Sequence, residues 1–414
     1  MHILFVSPRQ CWPAVSGAKL REYHLCKALA TRVPLHYVFF TAPEGSPPTL
    51  AELPFCEAVT AAPALRPYST SKKIRGLLGS VPLPVLNYTS AAMDAALRTI
   101  VSSASFDLVH LDSIHLAGYE PLLRQLLPKA RFVYDWHNIE SDLIFQYASN
   151  APSRARRIYS RLTARKLAAL ELRTLQTAFG HIVCSAREQD LLAKIAPRAR
   201  VEVIENGVDA SRFPSTPRPS AKRHRIVFVG HMNYHANIEA VLWFTQRIWP
   251  ALYQRFPHWK LTLVGSAPPP AVRDLAREPG VEVTGTVPEV APYYEEAVAA
   301  VVPLLSGAGT RLKILEAMAA GVPVVSTPLG AEGLDIMPGE NILLAPGDAA
   351  DGAPQPTQEQ VQEQWTSALA SVADQGALWI KLASAGRALV EARYRWEAIG
   401  AKLFDTYYRW LKME

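Results

Sequence analysis

The sequence predicts an α/β protein made of two doubly wound, Rossmann-like parallel sheets. Three observations lead there. Short apolar runs alternate with helix-period segments along the whole chain, the order of repeated strand–helix–strand units. A chain of 414 residues exceeds what one ordinary hydrophobic core organises. A short, polar, proline-rich stretch at 214–223 has the composition of a semi-rigid linker between two halves.

The first half opens on an apolar run at 2–8 with no basic leader or small-residue cleavage site, so it reads as a strand rather than a signal peptide. Further strands are expected at 35–41, 107–111, 131–136, 181–185 and 201–204, with helix-period segments between them, including 17–30 and 151–179. In the second half, strands at 225–229, 260–264, 281–284, 300–305, 323–326 and 341–344 alternate with helical patterns. A proline- and glycine-rich loop at 346–356 precedes helices at 357–375 and 377–393. The expected domains are 1–215 and 216–393, followed by a terminal segment, 394–414.

Composition narrows the function. A hydrophobic share of 49% with 19% charged residues is that of a globular chain, and no apolar run reaches the roughly 18 residues of a membrane span. The four cysteines show no CxxC or ligand spacing, which favours reduced thiols and a cytoplasmic location. The first 215 residues hold 25 Lys/Arg against 17 Asp/Glu, the remainder 18 against 20. A basic half suits nucleic acid, anionic lipid or a phosphorylated substrate. No zinc-finger, RNP or helix-turn-helix signature is present, so nucleic acid is not expected as a partner.

The most informative segment runs from Ser306 to Ser326. A buried-strand run leads into the glycine turn Gly307-Ala308-Gly309, after which Thr310 is placed to cap a helix. Arg311 and Lys313 fall in the first helical turn, where cations oppose the macrodipole unless an anion sits there. Glu316 is expected two turns inside the pocket rim, placed to accept from hydroxyl groups. Gly321 ends the helix and Pro323 opens the next strand. A plain strand–helix–strand unit with a surface Arg and Lys gives the same pattern. A pocket for a phosphorylated, hydroxylated ligand accounts for it better.

This block resembles the donor-site signature of the GT-B glycosyltransferases, specifically the retaining glycosyltransferase family 4. Gly230, Gly265 and the strand Val281-Glu282-Val283-Thr284-Gly285-Thr286-Val287 fall in the family's order. Val203-Ile204-Glu205-Asn206-Gly207-Val208-Asp209 is similar to its V-I-P-N-G-V-D element. The resemblance extends over essentially the whole chain. It implies two Rossmann-like domains facing across a cleft, closure about the linker, and a terminal helix crossing back to the first domain. It also implies sugar transfer from a nucleoside-diphosphate donor, with retention, to a glycan or lipid-linked acceptor.

Residue by residue, the resemblance assigns donor binding to Gly17, Gly230, His231, Thr286, Val287, Gly307, Gly309, Thr310, Arg311, Lys313 and Glu316. Glu316 would hold the ribose, and backbone near Gly285, Thr286 and Val287 would read the base. Arg311 and Lys313 would stabilise the leaving diphosphate. His137, just beyond a predicted strand end in Tyr134-Asp135-Trp136-His137-Asn138-Ile139-Glu140, matches the histidine that touches the donor sugar. Asp135, Asn138 and Glu140 either line the acceptor side or fix the histidine tautomer. There is no D-x-D, so neither a metal nor any other cofactor is expected.

Two departures stand out. The G-R…K pair that neutralises the diphosphate in many members is replaced in Gly230-His231-Met232-Asn233-Tyr234-His235-Ala236-Asn237, and Ala308 takes the place of the first Glu of the E-x7-E pair. Arg311 and Lys313 are the candidates to supply the missing charge. Other readings are a GT-B nucleotide-sugar epimerase, a phosphorylase-like enzyme, and a non-catalytic sugar-nucleotide-binding partner.

One further pattern concerns an anionic membrane surface as partner. Arg154, Arg156, Arg157, Arg161, Arg165, Lys166 and Arg173 run beside Ile158, Leu162, Leu167 and Leu170 at helical spacing. Lys72, Lys73 and Arg75 lie beside Ile74, Leu77 and Leu78. A helix packed on its own domain shows the same periodicity.

Overall fold

The computed structural model describes residues 1–14, 16–42, 46–65, 68–149, 153–213, 223–307, 311–347 and 356–412, without the side chain of Ser149. The chain divides into two compact units, Met1–Asn206 with Trp396–Glu414, and Gly207–Arg395. Residues 207–213 thus fold with the second unit. The Val208 N–H donates to the Tyr394 carbonyl at 2.7 Å, and Phe213 packs edge-on to Tyr294.

The first unit runs β1 (Ile3–Ser7), α1 (Gly17–Ala30), β2 (Leu35–Phe40), β3 (Ala58–Ala62), α2 (Thr70–Leu78), α3 (Leu83–Asn87), α4 (Ala91–Ser103) and β4 (Leu108–Leu111). It continues through α5 (Glu120–Leu126), β5 (Arg131–Trp136), α6 (Glu140–Ser149), α7 (Arg154–Thr177), β6 (Gly180–Val183), α8 (Ala186–Ile195) and β7 (Val201–Val203). The strands pair in parallel in the order β3-β2-β1-β4-β5-β6-β7. Central strands β1 and β4 are buried at every position, which is why they read as largely apolar runs, with Ser7 and His110 the polar exceptions.

The second unit comprises β8 (Arg225–Val229), α9 (His235–Arg247), α10 (Trp249–Arg255), β9 (Lys260–Val264), α11 (Pro270–Arg273), β10 (Val281–Gly285) and α12 (Ala291–Glu295). Then come β11 (Ala297–Val302), α13 (Leu312–Ala319), β12 (Val324–Ser326), β13 (Leu343–Leu344), α14 (Gln358–Asp374) and α15 (Gly376–Arg393). Its parallel order is β10-β9-β8-β11-β12-β13. Strand β11 begins and ends three residues before the expected 300–305. Pro303 has no N–H for the ladder, so it closes a strand whose apolar run continues past it.

The last helix, α16 (Trp396–Lys412), belongs to the first unit and packs on α1. Its Trp396, Ile399, Leu403, Tyr407 and Trp410 join one hydrophobic cluster with Leu25, Cys26 and Leu29 of α1. The approach is close enough that a Cβ on Gly400 would lie 2.2 Å from the Ala28 Cβ.

In both sheets the chain reverses its direction of winding once, between β1 and β4 and between β8 and β11. Ligands of open α/β sheets collect outside the carboxyl ends of the strands flanking such a switch point. Residues 8–9 and 112–113 lie there in the first unit, 230–231 and 303–307 in the second.

Candidate active site

In the second unit, β8 is followed directly by Gly230, whose N–H donates to the Val264 carbonyl. The loops after β8 and β9 come so near that a Cβ on Gly265 would sit 1.8 Å from the Gly230 oxygen. Only glycine fits there. Asn237, buried in the first turn of α9, donates through Nδ2 to the His231 carbonyl at 2.8 Å and shapes the loop. His231 itself is turned to Ser266, with Nδ1 2.8 Å from Oγ.

Lys313 reaches into this loop from the first turn of α13. Its Nζ donates to Asn237 Oδ1 at 2.5 Å and lies 4.3 Å from the centre of the Phe228 ring. It is also next to Gly230, where a Cβ would come within 3.1 Å of the ammonium. Burial, then the charge of Arg311, push the Lys313 ammonium down to about 7, with Glu316 pulling the other way. Burial raises the Glu316 carboxyl, opposed by Arg212 and Lys313. An anion bound beside this glycine loop would favour the charged form of Lys313.

Arg311 departs from expectation. The helix starts at Leu312, so Arg311 is its N-cap (φ −84°, ψ 70°) and not a first-turn residue. Its buried guanidinium donates through Nη2 to the Gly307 carbonyl at 2.8 Å and to the Leu329 carbonyl at 3.4 Å. It therefore braces the glycine turn. Gly307 adopts φ +101°, a left-handed conformation suited to glycine, under the Tyr234 hydroxyl. Gly309 and Thr310 lie outside the described residues. Thr286 is exposed and Val287 half-buried, just past the end of β10.

In the first unit the switch point holds a cluster that sequence reading only touched. His137, just beyond β5, places Nε2 3.0 Å from Asp112 Oδ1 beyond β4. Asp112 is fully buried; burial works against its charge, but His137 and then His110 hold its carboxyl below the usual range. His110 stacks on Phe5 at 4.0 Å and its Nδ1 lies 2.7 Å from the Tyr407 hydroxyl, so α16 buttresses the cluster.

Asp135 is not an acceptor-side residue. It is fully buried and clamps Arg21 of α1 in a two-pronged pair, both contacts 2.9 Å. Arg21 also donates to the Ile204 carbonyl at 2.7 Å and to Asn206 Oδ1 at 3.0 Å. A carboxylate so enclosed by a guanidinium has no face left for an acceptor, and its role is to tie α1 to the end of β7. Gly17 opens α1 two residues before Lys19.

His110, Asp112 and Asp135 bring three possible ligand atoms within 4.8 Å of one another. Arg21 on Asp135 and His137 on Asp112 already engage the two carboxylates. His110 Nε2 and Asp112 Oδ2 are enclosed without a hydrogen-bond partner among the described residues.

Asn138 and Glu140 follow His137, both half-buried. Glu140 opens α6, 3.8 Å from His115 Nε2. Burial, then Glu171, push its carboxyl up to about 7, while His137 and Arg9 oppose. Burial, then Arg9 and His137, push His115 down to about 4. Two cavities open beside these groups. One of about 710 Å³ takes in Glu140, His115 and a set of tyrosines, and one of about 320 Å³ includes Arg9 and Lys19. Both include Tyr68, Asn87 and Tyr88.

Residues 15–212 match the family described as Glycosyltransferase Family 4, and residues 223–355 the one described as Glycosyl transferases group 1. Among curated proteins, an uncharacterized 44.6 kDa protein in the cps region of Klebsiella pneumoniae is 27% identical over 128 residues, 29% of this chain and 33% of that protein. Glycogen synthase of Mycobacterium tuberculosis is 26% identical over 255 residues, 59% of this chain and 57% of the enzyme. The chain thus spans between a third and somewhat over half of these relatives. Among solved structures, HepE of Anabaena in complex with UDP and glucose superposes with a TM-score of 0.65 at 18% identity, covering 98% of this chain and 99% of that one.

Proposed function

The chain belongs to the group 1 glycosyltransferases of the family 4 type, and on that premise we propose that it transfers a hexose from a nucleoside-diphosphate donor with retention at the anomeric carbon. The observation that carries the proposal is Lys313. Its ammonium supplies, from α13, positive charge beside Gly230 where many family members carry basic residues on the loop itself. UDP is the first nucleotide to test, because HepE is seen with UDP and glucose.

The residues divide the work. Gly230 and the turn at Gly307 let backbone approach the diphosphate, Lys313 neutralises charge growing on the leaving group, and Glu316 accepts from the ribose. The anomeric carbon–oxygen bond to phosphate breaks as the acceptor oxygen bonds to the same face. The acceptor's proton passes to the departing phosphate oxygen. His137 meets the transferring sugar. With Nε2–H given to Asp112, a neutral ring has only the Nδ1 lone pair left, so it accepts from a sugar hydroxyl. That assignment is narrower than a freely rotating imidazole allows.

The test is incubation with a panel of UDP-, GDP- and TDP-sugars, reading nucleoside diphosphate release. Transfer or slow donor hydrolysis supports the proposal. An epimerised donor, or binding without turnover, would replace it with an epimerase or a non-catalytic binder.

The acceptor side is read as working at an anionic membrane surface. No helix among the described residues is long and apolar enough to cross a membrane. On α7, however, Ile158 and Leu162 are exposed among Arg154, Arg157 and Arg161, while Leu167 and Leu175 pack inward. Lys166 donates to the Gly76, Leu77 and Gly79 carbonyls, which fixes the end of α2 and its exposed Ile74, Leu77 and Leu78 beside α7. Each cation near an anionic leaflet contributes about 1 kcal/mol. Salt-sensitive sedimentation with anionic vesicles is expected; equal binding to neutral vesicles would discard this surface.

A further inference from the structure

We propose that Asn237 is the positioning residue of the donor loop: its amide fastens the Lys313 side chain to the loop after β8 and leaves the lysine's charge for the diphosphate. The inference rests on the glycosyltransferase reading and adds to it a residue that acts only through Lys313.

The geometry fixes which end of the amide is which. The Lys313 ammonium has only donors, so the atom 2.5 Å from its Nζ is the acceptor Oδ1. The His231 carbonyl only accepts, so the atom 2.8 Å from it is the donor Nδ2. Neither contact survives a flip of the amide. Asn237 is buried in the first turn of α9, and its own N–H is held by the Tyr234 carbonyl at 3.0 Å. The loop closes directly onto the side chain, since a Cβ on Gly230 would lie 2.8 Å from Nδ2. The ring of His231 is joined in turn to Ser266, beyond β9. One side chain thus ties the loops after β8 and β9 to α13.

Two alternatives at this position show what the amide supplies. A carboxylate accepts from Lys313 but cannot donate to the His231 carbonyl, and it uses up the ammonium's charge in an internal ion pair. An apolar side chain leaves the ammonium against the Phe228 ring, 4.3 Å from its centre, with one polar contact fewer. The amide accepts without carrying charge. No charged group around Lys313 duplicates this role. Arg311, at the start of α13, opposes the ammonium, and Glu316, on the next turn, favours it. Glu316 is offset by Arg212 of the short turn Ala210–Arg212, and burial, then Glu316, keep the Tyr294 phenol of α12 protonated. Glu239 of α9 accepts from Ser306 Oγ at 2.5 Å.

The test reads Lys313 first and the donor second. Competitive acetylation with acetic anhydride, followed by peptide mass spectrometry, gives the pH at which the Lys313 amine becomes neutral, with no ligand present. Wild type should show a midpoint near 7. Asn237→Asp, nearly isosteric, should raise it by about two pH units, and Asn237→Ala should lower it. Affinity for the tightest-binding sugar nucleotide, measured from pH 6.5 to 9, should fall with pH in wild type and become nearly flat in Asn237→Asp. At pH 6.5 that variant should bind about tenfold more weakly, the loss of one charge-assisted hydrogen bond. A merely structural asparagine would weaken binding equally at every pH and leave the midpoint where it was. The proposal is overturned if the Lys313 midpoint is the same in wild type and Asn237→Asp, or if Asn237→Asp keeps the wild-type pH dependence of binding. A raised midpoint in a protein that binds no sugar nucleotide would uphold the hold of Asn237 on Lys313 and overturn the transferase reading instead.

Discussion

Lys313 makes a quantitative prediction, because its ammonium must be charged to hold a diphosphate and is poorly charged without one. Burial, with the charge of Arg311, moves it from the usual 10.5 to about 7, which disfavours the charged form by about 5 kcal/mol relative to a lysine in water. At pH 8 about nine-tenths of the ligand-free protein therefore carries a neutral Lys313. A bound diphosphate restores the charge, so binding at pH 8 should take up close to one proton, and at pH 6 almost none. Affinity should fall about tenfold per pH unit above 7. The assay is calorimetry at pH 8 with the tightest-binding sugar nucleotide of the panel, which has no group of its own titrating near neutrality. Observed enthalpies in Tris and in HEPES then differ by the number of protons taken up multiplied by the difference between the two buffers' ionisation enthalpies. Lys313→Met should abolish that difference and weaken binding at pH 6.5 by about 1.5–3 kcal/mol, the value of a charge-assisted hydrogen bond. No proton uptake at pH 8, with affinity flat from pH 6.5 to 9, would refute the placement of the diphosphate on Lys313.

Other consequences can be checked separately. Glu316→Gln should weaken binding of the nucleoside diphosphate itself, and calorimetry finding wild-type affinity would remove the ribose assignment. His137→Ala and Asp112→Asn should both lower turnover while leaving UDP affinity intact, since Asp112 acts by orienting the ring; wild-type turnover in either would take the pair out of the site. Activity should survive EDTA, because Lys313 would supply the charge for which a D-x-D enzyme uses a cation; loss on chelation with recovery on Mn²⁺ would oppose this. Glu140 has a raised folded value, so its favourable contribution is complete below about 4.5 and lost as pH rises through about 7. Glu140→Gln should therefore gain stability over wild type at pH 8, by up to about 3 kcal/mol, and little at pH 4, by urea denaturation.

The α/β architecture was legible because its signals are strong and local. Strands buried on both faces are continuous apolar runs, and β5, β8 and β9 fall at their expected limits. Helix α1 does as well. What escaped was weaker chemistry. The edge strand β3, Ala58–Ala62, is mostly small residues with only one fully buried position, and carries no pattern that separates it from loop. The start of α13 differs from the expected one because Thr310 reads as a cap, whereas Arg311 occupies the N-cap position without a side-chain cap bond and turns its guanidinium back on the Gly307 carbonyl.

The site was legible where chemistry and backbone geometry coincide, and opaque where long side chains cross between elements. Glycine turns at strand ends and the histidine after β5 stand out in one dimension. Nothing in one dimension joins Arg21 to Asp135, or Tyr407 to His110, across 114 and 297 residues. Asp112 could have been suspected, as a carboxylate directly after the apolar run Leu108–Leu111, the position at which His137 was singled out after β5. The replaced basic pair after Gly230 looks like a lost function when the loop is read alone. Yet Asn237 holds the ammonium of Lys313 with one side-chain atom and the loop's own carbonyl with the other. On the proposed reading the loop would receive its cation from α13, far along the chain. The exchange also changes the chemistry, because a lysine buried beside an arginine lies near its titration point while an exposed loop lysine does not. A charge relocated in this way couples donor affinity to pH, and that coupling separates a working substitution from a vestigial pocket.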